Sequence, residues 1–328
     1  MASIEPARVK HTMNNTNIEL SFIIPAYNEE TLISDTINSI QKHVPTSLTY
    51  DINVIDHDSS DKTSQIASKL GANVFAKSGG SIASVRNFGA SCSKGNILIF
   101  LDADVILTNE WMQHIQNVVD QIIIDRKILT GSWVSIPDGA SWIEKCWYGP
   151  LQRGDNTHIN TGHLIIAKDY FFEIGGFSEH LETGEDYEFS MRVNHSGGKL
   201  IDNYSLIVIH TGFPTDLREF VKREFWHGKG DAKTISSILR SKVAVLSLLF
   251  LAFHAIFFTS IILGKCYIAG LSTAFIIVII TSSSVVKYSN APALPMLINC
   301  FLYYLYFWAR SLSLIVFFGS DKISKHHR

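Results

Sequence analysis

From Val243 to Leu263 the chain runs for twenty-one residues without a formal charge. As a helix such a stretch measures about 31 Å, the thickness of a bilayer's hydrocarbon core. A buried helix of a soluble domain rarely needs that length without a polar stripe, so the segment predicts a membrane span. Gly264-Lys265-Cys266 follows, then a second run from Tyr267 to Val286 and a third from Met296 to Phe318. The third carries Arg310 and many aromatics, so it can cross, re-enter or lie in the interface. Any chemistry must then be sought upstream.

Three short apolar runs organise that upstream part. Leu20-Ser-Phe-Ile-Ile-Pro25 stops at Ala26-Tyr27-Asn28-Glu29-Glu30, and Ile52-Asn-Val-Ile55 stops at Asp56-His57-Asp58-Ser59-Ser60-Asp61. Asn96-Ile-Leu-Ile-Phe-Leu101 stops at Asp102-Ala103-Asp104. Helical patterns over 31–43, 62–70 and 82–93 fall between and after them. The alternation predicts right-handed βαβ units in a mostly parallel sheet with helices on both faces. Parallel sheets put ligand sites at strand carboxyl ends, so the three polar clusters should gather along one edge.

Two carboxylates spaced as in Asp102-Ala103-Asp104 repel one another unless a cation compensates them. Hard divalent ions such as Mg²⁺ or Mn²⁺ take carboxylate oxygens and bridge to phosphates. The plain alternative is a capping Asp pair in a turn. No G-x-G-x-x-G and no G-K-[ST] is present, so bound phosphates would depend on a metal and on side chains. Arg86, on a helix entered through Ser78-Gly79-Gly80-Ser81, suits a diphosphate because its charge is permanent and its donors are forked. It also fits an ordinary surface position.

The segments 24–30, 54–63, 85–89 and 100–104 resemble, in order and spacing, the consecutive motifs of family 2 glycosyltransferases. Gly175-Gly176-Phe177 and Gly184-Glu185-Asp186-Tyr187-Glu188 resemble the family's acceptor-side motif, and the resemblance spans residues 18–230. It implies an A-type glycosyltransferase fold, a Rossmann-like α/β domain that takes a nucleotide-diphospho-sugar and a divalent metal, Mg²⁺ or Mn²⁺. Carried over residue by residue, Pro25, Ala26, Tyr27, Glu29, Asp56, Asp58, Arg86, Asp102 and Ala103 would bind the donor nucleotide. Asp104 would be the principal metal ligand, with Asp102 beside it or turned to the ribose. His210, which ends the apolar run Leu206–His210, would complete the metal site as in some relatives, or play a structural part. One departure stands out. The family usually has two adjacent aspartates and a glycine where this chain has Asp56-His57-Asp58, so Asp56 is the safer carry-over and His57 bears on base preference.

On the acceptor side, the resemblance makes Asp186 the general base and Glu185 a support for the acceptor or its loop. Both acids also fit a helix first turn, where the dipole favours carboxylates. Asn160, Thr161 and Gly162 would line the acceptor side. Trp133, Trp142, Trp147 and Tyr148 suit sugar rings, but aromatics equally fill cores or sit at membrane surfaces. The amphipathic stretch Arg218–Gly228 can lie in the membrane interface or pack on the catalytic domain. Its Arg223, Trp226 and His227 resemble a segment that covers the donor diphosphate.

The expected organisation is a polar tail (1–17), a catalytic domain (18–215), a basic interfacial segment (216–242), a membrane region (243–318, spans near 243–263, 267–286 and 296–318) and a basic tail (319–328). A formal net charge of −2 offers no general nucleic-acid surface. Cys92, Cys146, Cys266 and Cys300 have no metal or redox spacing. The polar first seventeen residues predict no cleaved signal peptide. Seven Lys or Arg against four Asp or Glu between Asp216 and Lys242 favour the cytoplasmic side before the first span. The expectation is therefore a multi-pass protein of the cell (inner) membrane with a cytoplasmic catalytic domain, while the basic tail leaves its own side open. The function expected is inverting, metal-dependent transfer to a hydroxyl of a lipid-linked saccharide acceptor in surface polysaccharide or glycan assembly. Two alternatives stay beside it: a polyprenyl-phosphate sugar synthase, in which a lipid phosphate attacks, and a non-catalytic membrane scaffold or transport component.

Overall fold

The computed structural model describes residues 19–149, 158–181, 183–229, 235–288 and 293–317. The tails 1–17 and 319–328, together with Phe318, lie outside the described residues. The first apolar run is β1 (Leu20–Ala26), buried throughout, followed by α1 (Ile33–His43), β2 (Tyr50–Asp56), α2 (Thr63–Lys69), β3 (Asn73–Ala76) and α3 (Ile82–Cys92). Helix α1 turns Ile33, Ile37 and Ile40 inward, the spacing of one helical face. The third run is β4 (Ile97–Leu101), five buried residues, which passes through the acidic triplet into β5 (Val105–Leu107). Then come α4 (Asn109–Ile124), β6 (Ile128–Ser135), β7 (His163–Ala167), α5 (Lys168–Glu173), α6 (Glu185–His195) and β8 (Lys199–His210).

One sheet holds all eight strands in the order β3-β2-β1-β4-β7-β6-β8-β5. The half built from β3, β2, β1 and β4 is parallel, as the alternation predicts. Beyond β4 the sheet is mixed: β7 runs antiparallel to β4 and β6, and β5 runs antiparallel to β8. The reason is connectivity, since β7, β6 and β8 are not joined by successive crossover helices of one sense. Trp111 on α4 donates its indole N–H to His163 Nε2 at 2.9 Å inside this core. Burial drives the His163 pKa down from 6.5 to about 3.

Downstream lie α7 (Leu217–His227), α8 (Ile235–Arg240), α9 (Lys242–Ile262), α10 (Cys266–Tyr288) and α11 (Ala293–Phe317). Three of these, α9, α10 and α11 from Pro295, are long and apolar enough to cross a membrane. They meet the catalytic layer at Trp147, which sits in a π-helical turn (Glu144–Tyr148) and is 2% exposed. Its ring packs on Phe220 of α7 at 5.0 Å and on Tyr303 and Tyr306 of α11 at 4.8 and 5.5 Å. Tyr288 donates its hydroxyl to the Trp147 carbonyl at 2.9 Å. Of the readings open for Trp147, sugar platform, core filler or membrane-surface aromatic, the structure takes the second: it is the centre of a junction core and has no face free for a sugar. Trp142 is exposed, and the Trp133 side chain lies outside the described residues.

Arg310, the charge inside the third span, has a partner across this junction. Its guanidinium reaches Glu224 of α7 at 3.1 Å, with both side chains largely buried. Removing one member of a buried pair strands the other, at a cost of about 3–5 kcal/mol, whereas replacing both with apolar groups is often neutral. Arg310→Met alone should therefore lower the thermal midpoint in detergent, and Glu224→Leu with Arg310→Met should recover most of the loss. Equal midpoints for wild type and Arg310→Met would show that the pair contributes nothing. A second expectation concerns acid. Between pH 6.5 and 3 the unfolded chain binds a proton that folded His163 refuses, so this residue's contribution is full above pH 6.5 and lost as pH falls. The slope is at most ~1.4 kcal/mol per pH unit. His163→Gln should flatten the fall in stability between pH 6 and 4, measured by denaturant titration; an unchanged slope would contradict the buried neutral ring.

Candidate functional site

Register and turn geometry build the site around β4. Its last residue, Leu101, stands opposite His163, and the Asp102 N–H donates to the Gly162 carbonyl at 3.1 Å. Thr36 of α1 donates its hydroxyl to the Ala103 carbonyl at 2.7 Å. The Asp104 carbonyl accepts from the Thr211 N–H at 2.8 Å and from its hydroxyl at 2.9 Å. Three separate elements thus grip the backbone of the acidic triplet. Because β5 pairs with the end of β8, Val105 lies opposite His210, which brings that histidine to the acids.

Asp102, Asp104 and His210 each offer a ligand atom, all within 4.8 Å of one another. His210 Nε2 is 3.6 Å from Asp104 Oδ2. Two carboxylates and an imidazole fit a divalent cation, and Mn²⁺ tolerates nitrogen beside oxygen ligands. Gly212 is the residue that makes room: a Cβ there would land on the Asp104 carboxylate. No motif flags Gly212 or Thr36 in the sequence, although Thr36 is one of three polar residues, with Ser39 and His43, on the buried face of α1.

Arg86, by sequence a diphosphate partner or an ordinary surface residue, is not at the surface. It is 1% exposed, and its terminal nitrogens bond Asp102 Oδ1 at 2.8 Å and Glu185 Oε1 at 2.6 Å. The next residue, Asn87, accepts the Phe177 N–H and donates to the Phe177 carbonyl, both at 2.9 Å. Gly176 permits this with a left-handed φ of 63°, where an added Cβ would also strike Asn87. Phe177 then packs between Phe100 of β4 and Phe189 of α6, at 5.1 and 4.9 Å. This aromatic contact seats α6, whose first turn carries Glu185 and Asp186. Glu185 is buried against Arg86, while Asp186 is half-buried with Oδ1 accepting the Tyr187 N–H at 2.7 Å. Asn160 Oδ1 accepts the Gly162 N–H at 2.7 Å, Thr161 is buried, and Gly162 abuts the Asp102 carboxylate.

The donor-side candidates lie at the ends of β1 and β2. Pro25 and Ala26 are buried, Tyr27 and Glu29 half-buried, and the Glu29 N–H donates to Thr63 Oγ1 at 2.7 Å. Ala103 is buried too, so it can offer a ligand little beyond its backbone. Asp56 accepts the Ser64 hydroxyl at 2.7 Å. Asp58 has φ 62°, the left-handed conformation for which glycine is the usual residue, and its carboxylate accepts from the Ser78 hydroxyl at 2.6 Å and the Gly79 N–H at 3.3 Å. His57 bonds the Lys77 carbonyl through Nδ1 at 2.9 Å, which places the ring proton on that nitrogen.

Towards the membrane helices, His210 stacks on Phe213 at 4.1 Å and Phe213 stacks on Tyr148 at 4.1 Å. The Arg223 guanidinium lies 5.5 Å from the Phe213 and Tyr148 rings. Burial raises the Tyr148 pKa despite that nearby cation. Arg223 is thus placed one ring away from His210, whereas Trp226 and His227 contact one another at 5.0 Å.

Residues 21–171 match the family described as glycosyl transferase family 2. Glycosyltransferase AglE of Haloferax volcanii is 27% identical over 232 residues, covering 66% of this chain and 74% of its own length. A glycosyltransferase of Rickettsia felis is 28% identical over 191 residues, 53% of this chain but 31% of its own length. Among solved structures, a mannosyltransferase from Pyrobaculum calidifontis in complex with GDP-Man and Mn²⁺ shares the fold with a TM-score of 0.53 and 13% identity, over 90% of this chain and 87% of that one. This chain carries a glycosyl transferase family 2 domain at residues 21–171 and is a glycosyltransferase.

Proposed function

We propose that the chain transfers a sugar from a nucleotide-diphospho-sugar to a hydroxyl of a lipid-linked saccharide by one inverting displacement, in surface polysaccharide or glycan assembly. The observation that carries this reading is the convergence of Asp102, Asp104 and His210 within 4.8 Å beside the acidic start of α6. The GDP-Man and Mn²⁺ bound to the Pyrobaculum mannosyltransferase support the donor class and the metal. When bound, Mg²⁺ or Mn²⁺ would offset the charge of the leaving diphosphate. Asp104, Asp102 and His210 would hold it, and Arg223 is the cation nearest the stacked rings on the membrane side. Asp186 would take the proton of the attacking hydroxyl. A single displacement inverts the anomeric centre and calls for no carboxylate nucleophile.

A lipid-borne acceptor is supported by where the apolar helices sit. The junction core around Trp147 continues through Tyr148 and Phe213 to His210, so the metal cluster stands beside the surface on which α11 packs. The basic stretch ahead of α9 supports a cytoplasmic catalytic domain in the cell membrane.

Asp186→Asn keeps the side chain's size but cannot accept a proton. Transfer should fall by about 10²–10⁴-fold with donor affinity nearly unchanged, and the wild-type product should have the opposite anomeric configuration to the donor. A retained configuration, or a variant as fast as wild type, would remove Asp186 as base; the latter would favour a lipid phosphate as nucleophile. Asp104→Ala should abolish most metal-dependent transfer while leaving the thermal midpoint close to wild type. Gly212→Ala makes a finer test, because its methyl displaces the Asp104 carboxylate rather than deleting it. Its transfer rate should drop at least about tenfold, in keeping with an overpacking strain of 1–3 kcal/mol focused on one ligand. Unchanged rates for both variants would sink the metal assignment.

A further inference from the structure

Arg86 stands between the two halves of the site. Its buried guanidinium holds Asp102 Oδ1 with one terminal nitrogen and Glu185 Oε1 with the other. Asp102 belongs to the cation cluster; Glu185 does not, and opens the helix that carries Asp186. The buried Arg86 Nε has no hydrogen-bond partner, so the side chain's placement answers to the two carboxylates rather than to saturation of its own donors. Asn87 keys the same helix to the backbone of Phe177, so α3 cannot slide to favour one acid over the other.

One positive charge shared by two carboxylates leaves the trio with a net charge of −1. Were Glu185 neutral, Arg86 would be matched by Asp102 alone, and that carboxylate would offer a cation less negative potential. We infer that Arg86 is a positioning residue through which Glu185, on the acceptor side, sets the affinity of the Asp102–Asp104–His210 cluster for a divalent ion. The inference rests on the metal reading above, and it makes the acceptor helix and the metal cluster two ends of one electrostatic unit.

The test is a titration of the full chain in detergent with Mn²⁺ alone, reading free Mn²⁺ by electron paramagnetic resonance. Glu185→Gln keeps the hydrogen-bond acceptor for Arg86 and removes only the charge. It should weaken Mn²⁺ binding by roughly 3- to 30-fold, the scale of one partly screened charge near a divalent ion. Arg86→Lys keeps the positive charge but lacks the fork that reaches both acids, so it should also weaken binding. In that background Glu185→Gln should add little, since the relay is already cut. A simple long-range charge effect would instead multiply equally in both backgrounds, and that outcome overturns the inference. If Arg86→Lys does not fold, Glu185→Gln decides alone: Mn²⁺ affinity within twofold of wild type overturns it. Asp104→Ala serves as the loss-of-binding control. A wild-type chain that binds no Mn²⁺ removes the metal reading and this inference with it, whereas normal Mn²⁺ binding unaffected by Glu185→Gln removes the inference alone.

Discussion

Like-charge repulsion at the end of β4 is the constraint around which the catalytic half is arranged. Asp102 and Asp104 offer ligand atoms within 4.8 Å of each other, with Glu185 close by through Arg86. At an effective dielectric of about 20, two unit charges ~5 Å apart repel by roughly 3 kcal/mol. A single hydrogen bond contributes about 1 kcal/mol net, so one could not hold such a loop in place. The structure uses several: Thr36, Gly162 and Thr211 each fix a different backbone group of the triplet. Rigid peptide groups keep the acids together, and a buried guanidinium offsets part of their charge. What repulsion is left is what a bound cation would relieve.

The same economy of parts appears at the membrane side. Helix α7 has one face on Trp147 through Phe220, an ion pair to Arg310 through Glu224, and Arg223 over the rings that lead to His210. Within the five residues 220–224 one helix therefore addresses the apolar helices, the catalytic layer and the rings that lead to the Asp102–Asp104–His210 group. A charge within an apolar span is costly unless paired, and Glu224 supplies that partner from outside the span.

Much of the parallel half was legible because its signals are local. β1, β2 and β4 are unbroken apolar runs ending in polar clusters, and α1, α3 and α6 carry one-face periodicity, so burial and chain direction could be read together. Residues whose roles depend on tertiary partners were opaque. Arg86 reads as a phosphate ligand or a surface residue, and only the fold shows that Asp102 and Glu185, the latter ninety-nine residues away, share it. Trp147 reads as a sugar platform, a core filler or a membrane-surface aromatic, and only Tyr288, Tyr303 and Tyr306 around it decide for the core. β6 went unseen because Ile128–Ser135 interrupts its apolar residues with Thr130, Gly131 and Ser132, and only pairing with β7 and β8 makes it a strand. Asp58 shows the opposite case: a departure in sequence that the backbone absorbs, since aspartate tolerates the left-handed conformation and its carboxylate gains two hydrogen bonds there.

The junction core also bears on how the chain is made. Strand β8, the last of the sheet, ends at His210, so every strand has been synthesised before the first apolar helix begins at Lys242. Yet Trp147 is covered by residues as late as Tyr306, and Phe220 depends on that ring. For the time a ribosome needs to add roughly ninety residues after Phe220, about 5–20 s at 5–20 residues per second, the nascent catalytic layer has an aromatic surface uncovered. Docking of these helices is then also the final packing step of the enzyme, and a chain in which it stalls carries a finished active-site sheet with its sticky side uncovered.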